Sequence, residues 1–99
     1  RSGGSIAELE AAPAGAILYG QFCDGPATCL LDELDLEASS QRLLPGTGVF
    51  DIAGFFRALP DGCPVSIEVP RSAEVRLGVP RLDRAKSAVE AVLPFLRAD

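Results

Sequence analysis

Two short apolar runs, separated by a long stretch with helical patterns, constrain the fold of this chain more than any other feature. Residues 16–23 (AILYGQFC) are almost continuously apolar, and residues 64–69 (PVSIEV) alternate apolar and polar side chains. A near-continuous apolar run of strand length is typical of a strand that is covered on both faces, as in a parallel sheet. The two runs therefore predict two neighbouring strands of a parallel α/β sheet.

Helices are predicted on both sides of each run. Ser5 with Glu8 three residues later predicts a capping box, and Asp51 predicts the N-cap of another helix. A helical period of apolar side chains marks the last segment before the C-terminus. The predicted helices cover residues of about 5–12, 30–38, 51–59 and 81–96. This order of helices and strands is the rhythm of a parallel α/β fold.

Charge and composition exclude several classes of function. The chain has 14 acidic and 9 basic side chains, a net charge of −5, and 47% hydrophobic residues. Residues 1–40 carry seven acidic side chains and one basic, whereas residues 41–99 carry eight basic and seven acidic. Because a basic stripe is lacking, we expect no nucleic-acid partner and no anionic membrane partner. We expect a soluble, cytoplasmic protein whose three cysteines are reduced, since they show no CxxC spacing.

The chain contains no His and no Met, and it begins with Arg1. We therefore expect it to be a fragment of a larger α/β protein. Two strands are fewer than a parallel sheet usually has, and two βα units are about a quarter of a (β/α)₈ barrel.

Polar side chains stand near the C-terminal end of both predicted strands. Gln21 lies within the first run, Asp24 follows it, and Glu68 ends the second run before a proline. Ligands collect at this end of parallel sheets, and carboxylate and amide oxygens suit Mg²⁺ or Mn²⁺. Plainer interpretations are a Glu68 on a solvent-exposed edge strand and a Gln21 satisfied by the backbone.

A glycine-containing loop, RLLPGTG, begins at Arg42. From such a loop a guanidinium group can reach an anionic or hydroxylated substrate above the strand ends. The plainer interpretation is an ordinary solvated arginine. The loop is not a Walker motif, because it lacks the Lys-Ser/Thr ending.

Three motifs in this order, YGQFCDGP, RLLPGTGVFDIAGFFRALP and VSIEVP, resemble the C-terminal part of the sugar phosphate isomerase/epimerase superfamily. These proteins are xylose isomerase-like TIM barrels, related to apurinic endonuclease family 2. The resemblance covers residues of about 1–97. It implies that the chain holds the C-terminal βα units of a TIM (β/α)₈ barrel.

Residue by residue, the resemblance implies a divalent-metal site with Mn, Mg, Co or Zn. Gln21 corresponds to a His or Gln metal ligand on the seventh barrel strand, and Glu68 to the Glu ligand on the last strand. Arg42 and Asp24 correspond to substrate-binding residues. The family's other two ligands, a Glu and an Asp on earlier strands, have no counterpart here, and no catalytic base is assigned within the chain.

The implied activity of the intact protein is that of a metal-dependent isomerase, epimerase or lyase. It would move or remove a proton through an enediolate, with a sugar, polyol or cyclic hydroxy acid as substrate. Gln at position 21 resembles the subset that includes 3-dehydroshikimate dehydratases. The alternative is a non-catalytic partial-barrel module for interaction or assembly, and a homo-oligomer is compatible with either. The phosphodiester chemistry of the endonuclease relatives is disfavoured by the acidic charge and the missing His.

Overall fold

The computed structural model describes residues 3–97. Within this range the chain forms a mixed α/β fold around a two-stranded parallel sheet, which confirms the predicted parallel pairing. The strands are β1 (Gly20–Phe22) and β2 (Val65–Ile67). The helices are α1 (Ile6–Glu10), α2 (Leu34–Ser40), α3 (Ile52–Ala58), α4 (Ser72–Arg76) and α5 (Arg81–Arg97), and a 3₁₀ turn (Leu31–Glu33) precedes α2.

The apolar core lies between one face of the sheet and helices α3 and α5. Phe22, Ile52 and Val92 are its buried members. The Phe22 ring meets the Phe55 ring edge to face, with centroids 5.2 Å apart. Because Phe22 points into this core, the neighbouring Gln21 must point to the opposite face of the sheet.

Both predicted helix caps are confirmed. The Glu8 amide donates to Ser5 Oγ at 3.2 Å, and the Ser5 amide donates to Glu8 Oε2 at 2.8 Å, which completes the capping box. The Gly54 amide donates to Asp51 Oδ1 at 2.9 Å at the start of α3. The sequence predicts these caps correctly because a cap is formed by residues within one helical turn of each other.

The element boundaries differ from the prediction in three places. Both strands are only three residues long, and the apolar residues Leu18 and Tyr19 are 76% and 60% exposed. Helix α4 was not predicted. Helix α2 extends to Ser40 and buries Glu37, which is 1% exposed, whereas the neighbouring Leu36 is 48% exposed. None of the helices within residues 3–97 has the length and apolar character needed to cross a bilayer.

Candidate functional site

The polar face of the two-stranded sheet forms the base of the candidate site. Gln21 pairs with Ser66 in the parallel register, and the Glu68 amide donates to the Phe22 carbonyl at 3.0 Å. Since side chains alternate along a strand, Gln21, Ser66 and Glu68 share the face opposite the core. Gln21 and Glu68 are exposed. The structure therefore brings together the two side chains that the sequence predicts as metal ligands.

A short segment, residues 41–43, crosses the C-terminal ends of both strands. Leu43 and Asp24 exchange two backbone hydrogen bonds of 2.8 and 2.9 Å beyond β1. The Arg42 amide donates to the Pro70 carbonyl at 3.0 Å beyond β2. Because both strand ends hold this segment, Arg42 is fixed above the polar face of the sheet.

Gln21, Arg42 and Glu68 line one open depression of about 270 Å³, together with Cys23. The guanidinium carbon of Arg42 lies 5.5 Å from the centre of the Phe50 ring, within the range of a cation–π contact. A larger cavity of about 470 Å³ on another side of β1 also borders Gln21 but does not include Arg42 or Glu68. We place the candidate site in the smaller depression because all three predicted side chains meet there.

The side-chain oxygens of Gln21 and Glu68 are suitable ligands for a hard divalent cation, but two side chains are too few to hold the cation alone. Among residues 3–97 there is no group of three or more His, Cys, Asp or Glu side chains placed to bind a metal. Gln21 supplies an amide oxygen and Glu68 a carboxylate, the ligand types that Mg²⁺ and Mn²⁺ accept. The described residues thus fit one side of a metal site.

Asp24 is completely buried, at 0% exposure. Its Oδ1 accepts hydrogen bonds from the amides of Gly25 at 2.8 Å and Phe50 at 2.9 Å. Its Oδ2 accepts from Gly46 at 2.9 Å and Gly48 at 3.0 Å. The carboxylate therefore fixes the glycine loop that follows Arg42, and its role as a direct substrate contact stays a prediction.

Two glycines allow the chain to pack tightly against the buried carboxylates of Asp24 and Glu37. A Cβ atom at Gly48 would overlap the Gly25 carbonyl oxygen and lie 2.8 Å from the Asp24 carboxylate carbon. A Cβ atom at Gly25 would lie 2.9 Å from Glu37 Oε1. Gly48, in the predicted substrate loop, is thus needed for close backbone approach to Asp24, and Gly25 for close approach to Glu37.

Glu37 is the residue that sequence reasoning missed. It is 1% exposed and lies on α2 beside Gly25, at the edge of the candidate site. The apolar pattern of residues 30–38 predicts that the leucines, and not Glu37, form the buried face of that helix. A buried carboxylate among exposed leucines is recognisable only once the tertiary structure is known.

The pKa of the Cys23 thiol depends on the charged side chains around the depression. Burial raises the pKa of the Cys23 thiol above its usual value of 9.0, since a thiolate is poorly solvated there. The Arg42 cation acts in the opposite direction, and the carboxylates of Asp24, Glu68 and Glu37 raise the pKa further. The thiol is thus sensitive to both charged residues of the candidate site.

Charge-changing substitutions should shift the pH dependence of Cys23 alkylation in opposite directions. Arg42→Gln removes a cation that stabilises the thiolate, so the pKa of Cys23 should rise. Glu68→Gln removes an anion, so the pKa should fall. The measurement is the rate of iodoacetamide labelling against pH, in a chain whose other two cysteines are replaced by serine. Glu10→Gln, an exposed change on α1, is the control; identical profiles for all variants would place Arg42 and Glu68 away from the thiol.

Comparison of the chain with family models, with curated proteins and with solved structures gives no match.

Proposed function

We propose that the intact protein is a divalent-metal-dependent isomerase, epimerase or dehydratase of a sugar, polyol or cyclic hydroxy acid. In this proposal the chain supplies the C-terminal βα units of a TIM (β/α)₈ barrel. The observation that carries the proposal is that Gln21, Arg42 and Glu68 share one depression at the C-terminal ends of two parallel strands. Active sites of such barrels lie at this end of the sheet.

The metal would be held on this chain by the amide oxygen of Gln21 and the carboxylate of Glu68. Mn, Mg, Co and Zn are the candidate metals, and the remaining ligands would come from earlier strands of the barrel. When bound, the cation supplies Lewis-acid stabilisation for negative charge that develops on a carbonyl and its neighbouring hydroxyl group. The exposed position of both side chains leaves their oxygens accessible to the cation.

Arg42 would bind and orient the substrate. Its guanidinium group presents several hydrogen-bond donors that match a carboxylate or a pair of hydroxyl groups. The Phe50 ring beneath it and the backbone bond to Pro70 restrict its position. A pre-positioned cation costs little ordering entropy when the substrate binds.

Metal-dependent exchange of a carbon-bound proton with solvent tests this proposal without knowledge of the product. The intact protein is incubated in D₂O with Mn²⁺ and a panel of ketoses, hydroxy ketones and cyclic hydroxy acids. Proton abstraction next to a carbonyl should replace one C–H by C–D, visible by NMR, and a chelator should stop the exchange. A panel without any exchange in the presence of Mn²⁺ would contradict the proposal.

The non-catalytic assembly module is the second candidate, and exposed apolar side chains favour it. Leu18, Leu31 and Leu77 are 76%, 86% and 81% exposed. Large apolar side chains in water favour association when they form contiguous patches. Concentration-dependent self-association in light scattering, without metal-dependent exchange, would support the module over the enzyme.

A further inference from the structure

A further cavity, of about 420 Å³, lies between the segment that follows β2 and helix α5, and its lining is rich in arginine. Its lining residues include Arg71, Arg81 and Arg84, with Glu74 as the one acidic residue. It does not share a lining residue with the candidate metal site, although Pro70 borders one and Arg71 the other. In a chain with net charge −5, this is a local concentration of positive charge.

The single carboxylate pairs with only one of the three arginines. Arg71 Nη1 forms an ion pair with Glu74 Oε1 at 2.8 Å, which uses the only carboxylate of the cavity lining. Arg84 donates from Nε to the Val79 carbonyl at 3.3 Å, which leaves the two terminal nitrogens of its guanidinium group for other acceptors. Within residues 3–97 no carboxylate pairs with Arg81 or Arg84.

The dipole of helix α5 disfavours cations in its first turn unless an anion offsets them. Arg81 and Arg84 lie in the first turn of α5. The partial positive charge at a helix N-terminus repels a cation. Asp83 is the acidic residue of the same turn, and it does not line the cavity. Arg81 and Arg84 therefore gain from an anion bound in this cavity.

We propose that this cavity binds a phosphate group. Planar guanidinium groups form paired, charge-assisted hydrogen bonds with the oxygens of phosphate, and a tetrahedral dianion can meet three of them at once. Arg81 and Arg84, which no carboxylate of the described residues pairs with, are the cations that most need this acceptor. The inference rests on the cavity and does not depend on the proposed catalytic function.

Binding of inorganic phosphate by the native protein tests the proposal. Isothermal titration calorimetry in a chloride buffer of matched ionic strength should show saturable binding. A second pair of titrations, with glycerol 3-phosphate and glycerol, distinguishes an ester-linked phosphate from the free ion. Glycerol should not bind at this cavity. Phosphate binding no stronger than that of chloride would overturn the proposal.

Arginine variants place the binding in the cavity. Arg81→Gln should weaken phosphate binding about tenfold, since it removes one charge-assisted hydrogen bond. Arg84→Gln is the second variant, and Arg57→Gln, an exposed change at the end of α3, is the matched control. Thermal unfolding monitors the fold of each variant. Equal affinities in Arg81→Gln, Arg84→Gln and Arg57→Gln would contradict the assigned site.

Discussion

Asp24→Ala is expected to lower the free energy of unfolding by about 3–5 kcal/mol, the cost of removing one side of a buried charged network. The substitution deletes the acceptor for four backbone amides that lie around a fully buried carboxylate. Buried amides without an acceptor are costly because they have lost water as well. Urea unfolding followed by circular dichroism measures the change. A loss of this size is a large part of the stability of a domain of this length.

Asp24→Asn keeps the shape of the side chain and removes one of its two acceptor oxygens, so it tests the hydrogen bonds apart from the packing. Asparagine keeps one carbonyl oxygen, but its amide group would face two backbone N–H donors, so this variant should also be strongly destabilised. Asp35→Asn, an exposed change on α2, is the matched control and should unfold like the native protein. If Asp24→Asn unfolds at the same urea concentration as the native protein, the four hydrogen bonds do not hold the loop.

Glu68→Gln in the intact protein is expected to lower metal-dependent deuterium exchange by about a hundredfold or more, because Lewis-acid stabilisation is worth several kcal/mol. The substitution keeps the size of the side chain and replaces the charged ligand by a neutral amide. The exposed position of Glu68 means that the change should leave the fold intact. Exchange rates in D₂O with Mn²⁺ measure the effect.

Glu90→Gln provides the control for charge alone, since it removes an exposed carboxylate from α5. It should keep native exchange and native stability. If Glu68→Gln exchanges deuterium at the native rate, Glu68 is not a metal ligand. That result would not affect the description of the parallel sheet.

Local patterns in the sequence predicted what depends on neighbouring residues. The caps at Ser5 and Asp51 need one helical turn each, so residues close in the chain were sufficient to predict them. The parallel pairing followed from two apolar runs joined by helical segments. Strand lengths were overestimated, because apolar character alone does not provide hydrogen-bonding partners: residues 16–19 lie outside the parallel ladder.

The candidate site depended more strongly on tertiary contacts. The strand-end rule was sufficient to place Gln21 and Glu68 at the same end of the sheet, whereas the face that they share became known from the register of the two strands. The position of Arg42 depends on hydrogen bonds to both strand ends, one of them to Pro70 far along the chain. Three of the four amides around Asp24 belong to a loop more than twenty residues away. No local sequence pattern therefore predicts that this carboxylate is buried.

Addition of substoichiometric Mn²⁺ to the isotopically labelled protein tests the central claim most directly. Paramagnetic broadening in NMR spectra locates the bound ion. If Gln21 and Glu68 form one side of a metal site, the side-chain amide signals of Gln21 and the backbone signals of Glu68 should broaden first. Broadening centred on the acidic segment that contains Asp32, Glu33 and Asp35, with Gln21 unchanged, would contradict the account.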